Sequence, residues 1–368
     1  MAALALKHSR LPLALALAAA LGTATHARAQ LEEVLVTAQK RSENLQNVPI
    51  AITTFDAEAM AARQITTIQD LRFSAPNVTY AKGNFTGSNF KIRGIGQDLV
   101  AATGDAGVGI HINDVPLLDP RLYETEYYDI EQLVILRGPQ GTLYGRNSTG
   151  GAVNMITNRA SVDEVLGNIE GQYGNYDTMR VKGMVNIPLG DTLAARFAGI
   201  SLQRDGYTEN LATGNDIDDR DQWSLRGSLR WLPSDATSVD FMGSYMDEDS
   251  SRTRSPKQLC HNDPSGLLGC LPDKLTFDAV NPLAQLTGII PSRLGPLGPQ
   301  PGLGNDTSGV PRSMRTVAAD TDPQYQSDET LAILRLGHQF ERHELTINTS
   351  YHDTTLRSQQ DYTMNSST

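Results

Sequence analysis

Hydrophobic and polar positions along this chain follow two different rhythms. From about residue 165 onward the rhythm is period two, the signature of strands with one apolar face. In 222–231, Trp223, Leu225, Gly227, Leu229 and Trp231 fall on one side of an extended chain; Gln222, Ser224, Arg226, Ser228 and Arg230 fall on the other. Met179, Val181, Gly183, Val185 and Ile187 alternate with Arg180, Lys182 and Asn186 in the same way, and Val239, Phe241, Gly243 and Tyr245 repeat it. Leu193 to Leu202 is less clean, with Ala and Gly on both faces. The pattern predicts about seven strands, near 165–174, 177–187, 192–204, 222–232, 236–247, 327–339 and 344–356. A soluble sandwich strand can alternate too, but Trp at both ends of an apolar stripe suits the two aromatic belts of an outer-membrane strand.

The connections sharpen that reading. The segments 188–191, 232–237 and 340–344 are tight, whereas 206–221 is long and polar, and about 248–326 is longer still and rich in Pro, Gly and Ser. Short turns on one side and long loops on the other are the topology of an outer-membrane barrel. Unpaired strand edges are not tolerated in lipid, so seven strands cannot close a wall. The expectation is a truncated chain with an incomplete barrel.

Residues 45–160 have a mixed rhythm and predict a compact α+β domain. Ile50 to Thr53 reads as a short strand and Asp56 to Ala62 as a helix. Thr67 to Asp70 has capping-box spacing before a short helix, which Pro76 stops. Leu133 to Leu136 is a continuous apolar run, as in a fully buried strand, and Val153 to Thr157 is another strand, entered through a glycine-rich turn. The glycines at 138, 141, 145, 150 and 151 lack the GK[ST] ending of a phosphate loop and read as turns needing positive φ.

The first residues read as an address. Lys7, His8 and Arg10 precede the apolar run Leu11 to Leu21, too short to span a membrane. Ala27-Arg28-Ala29 has small-x-small form, so 1–29 is an export signal and the mature chain begins at Gln30. The net charge of -11 argues against nucleic acid as the main partner. Cys260 and Cys270, close in sequence in an exported chain, are read as a disulfide within the longest loop. No catalytic constellation, cofactor motif or metal cluster emerges. His111 and His261 stand alone and read as surface residues.

Four further stretches carry a resemblance. Glu33 to Ala38 opens "EEVLVTAQKRSENLQNVPIAITTFDAEAM"; "IRGIG" lies at 92–96 and "VGIHINDVPL" at 108–117; "EQLVILRGPQGTLYGRNSTGGAVNMITN" fills 131–158. Together they resemble the N-terminal region of the TonB-dependent outer-membrane receptors. "HIND" at 111–114 departs from that family's usual aromatic or small residue followed by Asp-Gly. The resemblance implies an α+β plug domain at 45–160, followed at 161–368 by the N-terminal strands of an antiparallel transmembrane β-barrel.

It further implies that Glu33, Val34, Leu35, Val36, Thr37 and Ala38, in a leader of 30–44, form the TonB box. Such an extended segment can add to the edge of a partner's sheet; the other readings are an ordinary plug strand or a disordered leader. The leader follows Gln30 so closely that no additional signalling domain is expected before it. Arg93 and Gly94, and Arg137 and Gly138, match the family's plug positions whose arginines face acidic groups on the barrel wall, with Glu170 one candidate partner and others expected beyond Thr368; surface arginines are the alternative. The implied function is active import of a scarce ligand, by default a ferric siderophore. Cobalamin, oligosaccharides and aromatic compounds use the same fold, and a passive porin is the rival. The implied partners are the TonB protein of the inner-membrane energising complex, outer-membrane lipid and a small-molecule ligand such as an iron chelate. No enzymatic activity is expected.

Overall fold

The computed structural model describes residues 35–38, 41–44, 50–82, 88–96, 106–117, 126–210, 213–252, 261–262, 270–271, 315–317 and 321–359. The expected export signal, Glu33, Val34 and Cys260 lie outside them.

The chain opens with an antiparallel pair, β1 (Leu35–Ala38) and β2 (Arg41–Asn44). The α+β unit follows. β3 (Ala51–Asp56) runs into α1 (Ala57–Ala62), where the Asp56 carboxylate accepts the Ala59 amide at 2.7 Å and caps the helix. A 3-10 turn at Ile68–Asp70 leads to α2 (Leu71–Ser74). Asp70 accepts the Thr66 and Thr67 amides at 2.9 and 2.8 Å, as the sequence spacing anticipated. Pro76 ends α2 because the residue before a proline is driven out of the helical region, and Ala75 is extended. β4 (Val78–Lys82) pairs with β5 (Ser88–Ile92). Then come β6 (Val108–Ile112), β7 (Val115–Leu117), β8 (Ile130–Arg137), α3 (Gly141–Tyr144) and β9 (Gly151–Thr157).

A mixed five-stranded sheet in the order β3-β8-β9-β6-β7 centres this unit. β9 is buried along its whole length, and Leu133 to Leu136 in β8 are fully buried, which is why both read as apolar runs. Gly151 has φ 154°, and a Cβ there would collide with the Leu136 carbonyl, so the tight entry to β9 requires glycine. His111, expected at the surface, is only 1% exposed. It lies on β6, held between β9 and β7, with its ring edge-on to Tyr144 at 4.8 Å. A lone histidine carries no periodicity that would reveal which face of an interior strand it occupies.

The wall strands are β10 (Leu166–Gly174), β11 (Thr178–Pro188) and β12 (Leu193–Arg204). After two short loop strands, β13 (Thr208–Asn210) and β14 (Asp216–Ile217), come β15 (Arg220–Ser234) and β16 (Thr237–Ser250). The long loop contributes β17 (His261–Asn262), β18 (Cys270–Leu271) and β19 (Thr316–Val317), and the wall resumes with β20 (Gln324–Gln339) and β21 (Glu344–Gln359). The sheet is antiparallel in the order β10-β11-β12-β15-β16-β20-β21, the seven strands the alternation predicted. Several run longer than expected, to 16 residues.

The alternation sorts as a membrane wall requires. Trp223, Leu225, Leu229 and Trp231 are exposed on the outer face, while Gln222, Ser224 and Arg226 are buried on the inner. The two tryptophans are eight residues apart, about 26 Å along a strand, close to the roughly 25 Å height of an outer-membrane apolar band. Among the described residues no helix is long and apolar enough to cross a membrane, which leaves crossing by strands open. The sorting of connections is not strict. The tight turn at 175–177 lies at the long-loop end, where the Asp205 amide donates to the Tyr176 carbonyl at 2.9 Å.

Candidate functional site

The inner face of the wall receives the α+β unit, and one short segment of that unit makes much of the polar contact. Residues 126–130 lead into β8, anchored by the Tyr127 amide donating to the Thr66 carbonyl at 2.7 Å. Glu126 accepts from the Arg180 guanidinium of β11 at 2.6 Å. Asp129 receives Arg196 of β12 through both oxygens, Nε to Oδ2 at 2.8 Å and Nη2 to Oδ1, with both side chains buried. Asp129 also accepts from Asn158 Nδ2 at 2.8 Å. Arg226 of β15 stacks over the Tyr128 ring, 4.4 Å from its centroid, and donates to the Tyr128 carbonyl at 3.2 Å. Tyr128 and Ser224 share a hydrogen bond between hydroxyls at 2.8 Å. Farther along, Arg335 of β20 approaches Asp114 at 3.6 Å.

Burial pushes the Glu126 carboxyl above its ordinary value; Arg180 and Lys182 pull it back only in part. The bidentate Arg196–Asp129 pair fixes orientation as well as contributing energy. Apolar contacts complete the seat. Met242, Leu331 and Ile333 of the wall join the core of the plug-like unit, and Ala198 and Ile200 pack with Tyr128. The linker to the wall is tied as well, since Asn186, fully buried on β11, accepts the Ser161 amide at 2.9 Å and donates to the Ser161 and Glu164 carbonyls at 2.8 Å.

The described contacts run both ways: wall arginines Arg180, Arg196 and Arg335 meet Glu126, Asp129 and Asp114, while Arg159 of the α+β unit lies 4.0 Å from Asp240 of β16. Glu170 does not meet Arg93 or Arg137; its ion pair is with Lys182 at 3.6 Å. Glu170 and Lys182 are direct cross-strand partners of β10 and β11, and that register brings them together before any group across the cleft. Arg93 and Arg137 instead line an open recess with Ile50, Ala51, Gly138 and Gln140, in which no wall residue takes part. Arg93 has φ 55°, and Gly94 and Gly138 have φ 78° and 118°, so these positions form sharp bends.

In the leader, Leu35 to Ala38 form β1, backbone-paired to β2 in the register Leu35↔Asn44 to Ala38↔Arg41. Near the cysteines, β17 and β18 pair in the register Asn262↔Cys270. At the loop end, β13 pairs with β14 and, in parallel, with β19, so the two long connections share one small sheet. Asp322 fastens it, accepting from Asn210 Nδ2 at 2.8 Å, Thr213 Oγ1 at 2.7 Å and Asn215 Nδ2 at 2.6 Å.

Sequence reasoning missed the wall arginines. Their signal was nonetheless present: Arg180, Arg196, Arg226 and Arg335 are all cations at wall-strand positions that the structure turns inward, and 126–129 is an acid-Tyr-Tyr-acid run directly before a buried strand.

Comparison with known proteins agrees with this architecture. The model of the TonB-dependent Receptor Plug Domain matches residues 44–152. The chain is 29% identical over 221 residues to a pesticin receptor of Yersinia pestis, covering 57% of this chain and 32% of that protein. It is 28% identical over 248 residues to the vitamin B12 transporter BtuB of Vibrio vulnificus, covering 64% and 39%. The crystal structure of the ferric yersiniabactin uptake receptor FyuA from Yersinia pestis superposes with a TM-score of 0.62 at 18% identity, over 85% of this chain and 42% of that one, which shows the shared fold. The chain spans well under half the length of these relatives.

Proposed function

We propose that this chain, a member of the TonB-dependent receptor family, carries the plug and neighbouring wall strands of a bacterial outer-membrane importer of a scarce ligand. The observation that carries the reading is a plug bolted by buried ion pairs onto the inner face of a wall whose outer face is apolar. A passive porin leaves that space to water, so a plugged wall favours gated, energy-coupled transport.

In this reading, residues 1–29 direct export and 30–44 form the coupling leader. The plug follows at 45–160 and the wall at 161–368. Ligand lands on the loop end; the TonB protein then adds an edge to the Glu33–Ala38 segment and pulls. The β1–β2 pairing occupies one edge of that segment, so coupling replaces or extends a pairing the leader already makes. The protein moves its ligand by population shift and mechanical work and breaks no covalent bond. Relatives named as an iron-regulated outer membrane virulence protein of Vibrio cholerae and a ferrichrome outer membrane transporter of Escherichia coli favour a ferric siderophore as cargo. Cobalamin, an oligosaccharide or an aromatic compound is the alternative cargo for the same machine.

The test is uptake of radioiron-loaded hydroxamate and catecholate siderophores and of radiocobalt-labelled cobalamin, in cells with and without TonB. Uptake should require TonB and should be lost in Val36→Pro, because proline removes a ladder donor. Equal uptake in all three strains would point to passive diffusion.

A further inference from the structure

We infer that the imported solute passes between α1 and the wall strands β10 and β11, along a ladder of polar side chains that faces this gap. The inference rests on the importer reading above and adds the route.

The plug is fastened unevenly. Against β15, β16 and β20 it is packed through the Arg226 contacts and through Met242, Leu331 and Ile333, which belong to its core; on β12, Arg196 holds Asp129 where both line the cavity described next. Against β10 it stands away, and β11 reaches it through the Arg180–Glu126 contact. A cavity of about 520 Å3 separates α1 from the wall there, within the roughly 300–1,000 Å3 of ordinary small-molecule sites. Asn168, Glu170 and Gln172 share the inward face of β10 and line this cavity.

The lining follows the strand direction. Cross-strand pairs Gln172↔Arg180, Glu170↔Lys182 and Asn168↔Met184 form successive rungs. Asn168 to Gln172 is four residues, about 13 Å along the strand. Facing them, Ala57, Met60 and Ala61 of α1 line the gap, with Ala57 and Ala61 four apart on one face of the helix.

The charges on the rungs are already matched. Arg180 is held by Glu126 at 2.6 Å, and Lys182 lies 3.6 Å from Glu170. A wall of one sign would retain an oppositely charged solute. Balanced donors and acceptors instead let a hydrophilic, multiply hydrogen-bonding solute exchange partners rung by rung. Such a solute is the chemical class this route fits.

The experiment places a block in the gap without touching the fastened side. Gln172→Cys and Asn168→Cys are each coupled to a bulky maleimide; Ser350→Cys, on the inner face at the far end of the sheet, is the labelled control. Ala61→Trp fills the gap from the plug side and needs no label. Binding to unenergised cells and TonB-dependent uptake are measured with the radioiron siderophores and radiocobalt cobalamin named above, using those the unmodified protein imports. Uptake should fall at least about tenfold in the labelled Gln172→Cys and Asn168→Cys proteins and in Ala61→Trp. Surface binding should stay within about twofold, which separates a blocked route from a misfolded protein. Unimpaired uptake through fully labelled Gln172→Cys and through Ala61→Trp would overturn the route while leaving the importer reading in place. Absence of TonB-dependent uptake by the unmodified protein would remove both.

Discussion

Replacing Asp129 by Asn should loosen the plug more than any other single conservative change at its interface. Asp129 and Arg196 have side chains only 6% and 7% exposed, and Arg196 spends two donors on this carboxylate. Asn keeps the size and tolerates the left-handed backbone at φ 50°, so the change removes charge without adding strain. It leaves a buried guanidinium without its counter-charge, which costs about 3–5 kcal/mol. At about 1.4 kcal/mol per factor of ten, that is roughly a hundred- to few-thousand-fold rise in local opening. Hydrogen exchange of the β8 amides, which continue directly from Asp129, reads this opening in detergent-solubilised protein. Arg196→Gln should cost less, because Asp129 retains Asn158 at 2.8 Å. The double variant should cost less than the two single changes summed. An Asp129→Asn protein with exchange within about threefold of the parent would refute the assignment of the ion pair as the main fastening. So would strict additivity in the cycle.

Three other outcomes follow from the same geometry. Leu225→Arg, on the lipid-facing side next to the inward-facing native Arg226, should destabilise the wall by about 2–4 kcal/mol, seen as a reduced folded fraction on unheated gels. Glu126 is raised above 4.5 chiefly by burial, so its contribution to docking is greatest at low pH and declines as pH rises through its elevated folded value. Glu126→Gln should flatten that dependence in β8 exchange measured from pH 4 to 8, a window of about four units around the carboxylate range. At Asp322, burial acts to raise the pKa, but three hydrogen bonds outweigh it and hold the carboxyl below 3.8. The loop tie is therefore present above that value and lost as pH falls through the lower folded one; Asp322→Ala should expose 206–221 to limited proteolysis already at neutral pH.

The strands of this protein were legible because their rule is local. A lipid-facing strand must alternate, so Trp223 to Trp231 declared both the element and its outward side, and the structure turns that side out. The buried runs in β8 and β9, the Asp56 cap and the Pro76 stop were likewise written in neighbouring residues. The long-range contacts were not. Arg196 and Asp129 are 67 positions apart, and no pattern in either neighbourhood names the other. Only the docking of the plug against β12 decided that Asp129 would meet Arg196. Only the register of β10 on β11 gave Glu170 to Lys182, and only the place of β6 inside its sheet buried His111. Pleat and solvent fix which way a side chain points, and one sequence determines that; which group it meets across a gap depends on how two finished surfaces fit.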